Sequence, residues 1–270
     1  MRGVSRDSLA AGQERLERAV RAPGVAAAVG EDLFGITGVL AGNAGVRRAF
    51  TDPSRDADAK AALATRLFAA QVRSTSLDLV TGLVRSRWAA AADLVDATES
   101  LAVSATLADA EQAGRLDDVE DELFRFSRTV AGDMGLRDAL SARTEGADRK
   151  ARLVATLLAG RAAPQTGRLA VQAATLPRGR RTEQVLESFV DAAAQRRRQL
   201  VAQVVSAAPL GTDQRERLAA ALRRIYGRDI RVNLDIDPDV VGGLRVQVGG
   251  EVLDGTVKSR LDEAGRRLAG

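Results

Sequence analysis

LFGITGVLAGNAGVRRAFTDPSRDADAKAALATRLFA (Leu33–Ala69) and LFRFSRTVAGDMGLRDALSARTEGADRKARLVATLLA (Leu123–Ala159) align without a gap at an offset of 90 residues. Identities at that spacing include Leu33/Leu123, Phe34/Phe124, Gly42/Gly132, Gly45/Gly135, Arg47/Arg137, Asp58/Asp148, Lys60/Lys150, Leu63/Leu153 and Leu67/Leu157. Alanine matches come cheaply in so Ala-rich a chain. The others take in a Gly-x-x-Gly pair and two of only three lysines (Lys60, Lys150, Lys258), which chance explains poorly. Self-similarity at a fixed spacing marks tandem copies of one structural unit.

Each copy reads as helices. Leu116, Val119, Leu123, Phe126 and Val130 recur at spacings of three and four, the stripe of an amphipathic helix, and glycines 132 and 135 break it. Asp148 or Thr144 is expected to cap the next helix, which runs through Leu153 and Leu157 towards Pro164. The first copy repeats the pattern with Leu33, Ile36 and Leu40, a break over Gly42–Gly45, then Leu63 and Leu67. Further helices are expected over Leu77–Trp88, Gln165–Leu176 and Thr182–Leu200. Leucines and phenylalanines on such stripes read first as core.

From Val201 the pattern changes. Val201–Ala207 is a short β-branched run ended by Pro209, and Thr212 looks like the cap of a helix with Leu218, Leu222 and Ile225 on one face. Ile230, Val232, Leu234 and Ile236 alternate with polar residues, the period of a half-buried strand. Pro238 and Gly242–Gly243 read as a turn, Leu244–Val248 as a strand, Gly249–Gly250 as a hairpin, and Glu251–Leu253 as a brief strand. Asp254 then caps a last helix with Val257, Leu261, Ala264 and Leu268 on one face. The expected fold is mainly α: two tandem helical-bundle units (residues 1–94 and 95–200) followed by a small C-terminal α+β module (201–270).

Composition narrows the chemistry. Among 270 residues there is no cysteine and no histidine, which removes disulfides, zinc or haem ligation through those side chains, and Ser-His or Cys-His nucleophile pairs. Carboxylate-only sites survive that exclusion, but no feature brings Asp237 and Asp254 together, and turn and cap roles explain both. Gly242, Gly243, Gly249 and Gly250 match neither a dinucleotide fingerprint nor a P-loop. No catalytic, cofactor-binding or metal-ligating residue is expected.

The net charge is +4, from 40 basic and 36 acidic residues. The Arg178–Arg181 cluster and the Arg196–Arg198 run read either as phosphate contacts of a basic helical nucleic-acid binder or as solvated helix faces. No aromatic residues interleave with them to stack bases. Residues 1–16 carry no continuous apolar segment, and the uncharged run Leu33–Val46 falls short of the ~20 residues that cross a bilayer, so a soluble or peripheral protein is expected.

The stretch Ile230–Gly249, with Ile236, Asp237, Val240, Gly242, Gly243 and Gly249, resembles the signature of the ATP synthase delta subunit family, whose mitochondrial branch is the oligomycin sensitivity conferral protein. The resemblance continues through Asp254-Gly255-Thr256-Val257 and Arg260-Leu261. Upstream, Val204–Leu210 is similar to the strand before the family's helix, and Gln112–Leu123 to the junction of its first two helices. It covers residues 95 to 268; the additional copy over 1–94 resembles the longer actinobacterial form.

Membership would imply a non-catalytic stator subunit of the F-type enzyme, peripheral to the cytoplasmic face of the plasma membrane. It would bind the N-terminal segments of the alpha subunits through its helical bundle and the C-terminal end of subunit b through its C-terminal module, with no nucleic acid and no small-molecule substrate. On that reading Val103, Thr106, Leu107 and Ala110 line a groove for an alpha helix, and Val257, Leu261 and Leu268 contact subunit b. A basic nucleic-acid-binding or scaffold protein is the alternative.

Overall fold

The computed structural model describes residues 3–142, 145–198, 200–226, 230–237, 243–248 and 251–254. The chain forms two compact units, Met1–Ala194 and Gln195–Gly270. Helices α1 (Val4–Ala19), α2 (Val25–Gly42), α3 (Ala44–Thr51), α4 (Ala57–Phe68), α5 (Ser74–Arg85) and α6 (Ala91–Gln112) come first. They are followed by α7 (Leu116–Gly132), α8 (Met134–Ser141), α9 (Ala147–Leu158), α10 (Pro164–Thr175) and α11 (Thr182–Arg198).

The 90-residue spacing holds for whole elements: α2 answers to α7, α3 to α8, α4 to α9 and α5 to α10. Helix α6 is counted twice, as the sixth helix of one bundle and the first of the next. Leu94, Val95, Ala97, Leu101, Ala102, Ala105 and Ala108 belong to the first bundle's core, whereas Val103, Leu107 and Ala110 belong to the second's. A helix with a core on two faces must be apolar on both. Accordingly α6 buries Thr98 and Thr106 as well, each hydroxyl donating to the carbonyl four residues back (Leu94 at 2.8 Å, Ala102 at 3.0 Å).

The repeat extends to single hydrogen bonds. Helices α5 and α10 begin without a side-chain cap of their own, and a carboxylate from a neighbouring helix supplies the acceptor. Asp32 on α2 accepts from the Arg73 backbone N–H (3.0 Å) and the Ser76 hydroxyl (2.7 Å). Glu122 on α7 accepts from the Ala163 N–H (2.8 Å) and the Thr166 hydroxyl (2.5 Å). All three pairs of positions are shifted by the same 90 residues. At the C-terminal ends of α2 and α7, Arg47 donates to the Leu40 and Ala41 carbonyls (2.6 and 2.7 Å), and Arg137 donates to Ala131 (3.2 Å). A cation there satisfies the last carbonyls and the negative end of the helix dipole.

The stripes Leu33–Ile36–Leu40 and Leu116–Val119–Leu123–Phe126–Val130 are buried as expected. Three local expectations are corrected. The residue before α9 is Gly146 and makes no side-chain cap; Asp148 lies in the first turn, where its charge favours the helix dipole, and Thr144 is outside the described residues. Helix α5 stops at Arg85, and Trp88 folds back so that its ring N–H donates to the Leu83 carbonyl at 2.9 Å. Leu67 and Leu157 end their stripes partly exposed. Helix α2 is, by length and composition, apolar enough to cross a membrane. Its Val29, Leu33, Ile36 and Leu40 are nonetheless buried in the first bundle's core.

The second unit holds a four-stranded sheet of order β2-β1-β3-β4, from β1 (Leu200–Ser206), β2 (Ile230–Ile236), β3 (Leu244–Val248) and β4 (Glu251–Asp254). Strand β1 pairs parallel with β2 (Leu200↔Ile230) and antiparallel with β3 (Ala202↔Val248), and β3 pairs antiparallel with β4. Helix α12 (Thr212–Tyr226) connects the parallel pair, which no tight turn can do. Ala202, Val204, Leu222, Ile230 and Val246 form its core. Ile225 and Ile236, expected on buried faces, are 66% and 54% exposed: each ends its element, beyond the reach of the small core. The turn around Pro238, the Gly249–Gly250 hairpin and the last helix lie outside the described residues.

Candidate partner-binding surfaces

A protein that joins others works through surfaces, so the exposure of each candidate residue matters first. Val103, Leu107 and Ala110 are buried in the second bundle's core, and Thr106 is 1% exposed. Val103, Leu107 and Ala110 pack among the second bundle's own helices, whereas Thr106 lies beneath α2 of the additional unit. Gly30, in the middle of α2, sits so close to α6 that a Cβ there would lie 2.7 Å from the Thr106 hydroxyl oxygen and 3.4 Å from the Ala102 carbonyl oxygen. The seat is fixed at its edges. Glu31 pairs with Arg168 of α10 (3.1 Å), the Gln112 amide donates to the Val20 carbonyl (2.6 Å), and Phe34 packs against the cores of both bundles. The face of α6 assigned to a visiting helix is, in the free chain, already covered: Val103, Leu107 and Ala110 by the second bundle's core and Thr106 by α2.

At the corner between α10 and α11 the arginine cluster is tied down. Arg178 donates to Asp96 and Glu99, and Arg180 donates to Glu99 at 3.0 Å. Arg181 pairs with Glu183 at 3.3 Å. Burial alone would lower the Arg178 pKa, but its hydrogen bonds and charge interactions with Glu99 and Asp96 outweigh that and raise it. The geometry is demanding enough to hold Arg178 at φ +51°, a left-handed conformation that costs a non-glycine residue about 1–2 kcal/mol. Asp96, Glu99, Arg178 and Arg180 line an open cavity of about 310 Å³. With these three arginines matched to carboxylates, the cluster does not present the row of cations that a phosphate backbone requires.

In the C-terminal module Asp237 extends the parallel pairing, its N–H donating to the Ser206 carbonyl at 3.0 Å. Ile236 pairs in register with Ser206, and Asp254 closes β4 opposite Arg245. Gly243 has φ +84°, which explains the residue type at that point of the chain. Val240, Gly242, Gly249, Gly255, Val257, Leu261 and Leu268 lie outside the described residues.

Two features escaped the sequence reading. Phe124 falls beside the stripe that contains Leu123 and is 56% exposed; its position off the three-four spacing was the available signal. The Glu99–Arg178 pair spans 79 residues of sequence and left no local signal.

Residues 102–268 match the family described as ATP synthase delta (OSCP) subunit. The chain belongs to that family. A protein named ATP synthase subunit delta from Kineococcus radiotolerans is 54% identical over 269 residues, covering 99% of this chain and 98% of its own. One of the same name from Streptomyces griseus is 49% identical over 271 residues and covers both chains completely. The family match begins inside α6, so α1–α5 stand outside it, yet both delta-family relatives align with them as well. A delta-family chain is a structural subunit of ATP synthase, a peripheral component of that membrane-bound complex, and acts in its stator.

Proposed function

We propose that this chain joins the catalytic head to the peripheral stalk by two separate grips. The helical unit holds amphipathic N-terminal segments of the alpha subunits, and the C-terminal module holds the C-terminal end of subunit b. The work is done at the cytoplasmic face of the plasma membrane, and the chain contributes no catalysis of its own. What supports this reading is α6: a helix shared by two cores gives a stiff body, as a part that must resist rotation requires. Helix-in-groove contacts with buried apolar anchors would supply the long residence times.

The four α6 residues fit this reading in a modified form. A partner helix would meet Thr106 only where α2 yields, and Val103, Leu107 and Ala110 only from within the second bundle, so their contribution is to the floor of the groove and not to its open rim. The division into units 1–94, 95–200 and 201–270 is retained as a division of labour, with α6 at the first boundary. Val257, Leu261 and Leu268 remain the proposed contacts to subunit b: a chain ending at Asp254 should fold yet lose b, and retained b would refute them.

The test of the whole reading is purification of the tagged chain from its native membranes in mild detergent, with mass spectrometry of what accompanies it. Alpha, beta and b chains in fixed proportion are expected. Recovery alone, or with nucleic acid released by salt, would overturn it.

A further inference from the structure

An internal duplication offers a natural comparison, because one copy of a surface is covered within the chain and the other is not. On α2 the residues Ala27, Glu31, Phe34 and Gly38 follow one another at helical spacing along one face. That face meets the second bundle: Phe34 packs against its core and Glu31 pairs with Arg168 on α10. The counterparts on α7, ninety residues on, are Asp117, Asp121, Phe124 and Arg128. Among the described residues no third bundle follows to cover them. Phe124 keeps the identity of Phe34 but is 56% exposed, and Asp121, the counterpart of Glu31, has its side chain 73% exposed beside Arg125.

A solenoid-like array ends in polar faces, and the charged residues at 117 and 128, where α2 has alanine and glycine, fit such an end. The aromatic ring does not. Polar residues suffice to cap an array, and an exposed phenylalanine framed by charges is the form of a docking anchor. What covers this face is indicated by what covers its copy: α10 presents Arg168 beside Leu169 and within a turn of Val171, the arginine to the carboxylate and the apolar residues to the bundle core.

We propose that the Asp117–Asp121–Phe124 face of α7 is a docking surface for an amphipathic helix of another ATP synthase subunit, one that carries an arginine within a turn of a leucine or valine. Phe124 is its apolar anchor, and Asp121 receives the arginine as Glu31 does in the first bundle. Asp117 and Asp121, on the same face as Phe124, give the surface a charge complementary to such a helix. This surface rests on the stator reading above but is distinct from the α6 groove, since α7 carries it on its outward side.

The experiment is to place a photoreactive phenylalanine analogue at position 124 of the tagged chain, purify the assembled ATP synthase, irradiate, and map adducts by mass spectrometry. An adduct to a single helix of another subunit, with an arginine within one turn of the linked residue, is expected. Phe124→Asp should weaken retention in the complex roughly tenfold, whereas Phe124→Leu should stay within about threefold. Neither should alter the melting temperature of the free chain, because the ring is mostly in solvent. No adduct in a complex that retains alpha, beta and b would sink the surface and leave the stator reading standing; a chain that recovers none of those subunits would sink the reading itself. An adduct to a second copy of this chain, to a helix without an arginine, or equal retention of the Asp and Leu variants would also overturn the proposal.

Discussion

Two glycines five residues apart on α2 should respond to the same substitution with opposite signs. Replacing glycine by alanine within a helix ordinarily stabilises by about 0.8–1.0 kcal/mol, through backbone entropy. At Gly35 a Cβ would meet nothing within 4 Å, so Gly35→Ala should realise that gain. At Gly30 the new methyl would stand 2.7 Å from the Thr106 hydroxyl oxygen and 3.4 Å from both the Ala102 carbonyl oxygen and the Thr106 nitrogen. Two of these atoms are backbone, and Thr106 is β-branched and bonded to Ala102, so none swings away freely.

Overpacking of this kind costs about 1–3 kcal/mol, which cancels or exceeds the gain. The two variants should therefore differ by about 1–3 kcal/mol, or about 2–4 °C in melting temperature for each kcal/mol in a domain of this size. Urea denaturation read as the midpoint at constant m-value measures it. The pair Gly30→Ala with Thr106→Ala should recover much of the loss, giving a coupling energy within the ~0.5–3 kcal/mol expected of residues in contact. If Gly30→Ala raises the midpoint as much as Gly35→Ala, α2 is not seated on α6 and the account of the covered groove is wrong.

The repeated caps make a matched pair. Asp32→Ala and Glu122→Ala should each destabilise by about 1.5–3 kcal/mol, the range for hydrogen bonds to a charged group, and urea midpoints that do not move would contradict the capping role. Arg178→Met leaves Glu99, whose side chain is 7% exposed, with Arg180 as its remaining cation; it should cost up to about 3 kcal/mol, and adding Glu99→Met should return part of it. If the double variant is less stable than the single, the cost arises elsewhere. Asp56 caps α4 by accepting from the Ala59 and Asp58 N–H groups, and those bonds hold its pKa below the usual carboxylate value. A depressed folded-state pKa means that the stabilisation is present above the ordinary aspartate pKa and is lost as pH falls through the folded one. Asp56→Ala should thus lower the melting temperature at neutral pH but much less in strong acid, and Asp56→Asn, also a good cap, should lower it less.

Much of the fold was legible because it is periodic. The stripe from Leu116 to Val130 and the alternation from Ile230 to Leu234 both report a single buried face. Helix α6 was harder, since Leu94, Val95, Leu101, Val103 and Leu107 are distributed around its circumference and the sequence does not say which of two cores each enters. The caps from α2 and α7 were hidden for another reason. Asp32 and Glu122 differ in residue type and serve backbone groups some forty residues away, so neither resembles a local capping motif. The site was least legible of all. Phe34 and Phe124 are the same residue in the same repeat position, and what separates them is that the second bundle's core meets one while the other is exposed.

The double use of α6 bears on how load passes through the molecule. Two bundles strung on a linker would behave as beads on a cord: a sideways pull would be absorbed by bending the cord, and the energy would be lost there. Here the rod is embedded along different faces in two separate cores, and its 22 residues span about 33 Å at 1.5 Å per residue. Flexing it means shifting Leu101 in one core and Leu107 in the other together. Close-packed interiors are nearly incompressible, so the compliant joint that a simple tandem duplication would have introduced is replaced by a splice.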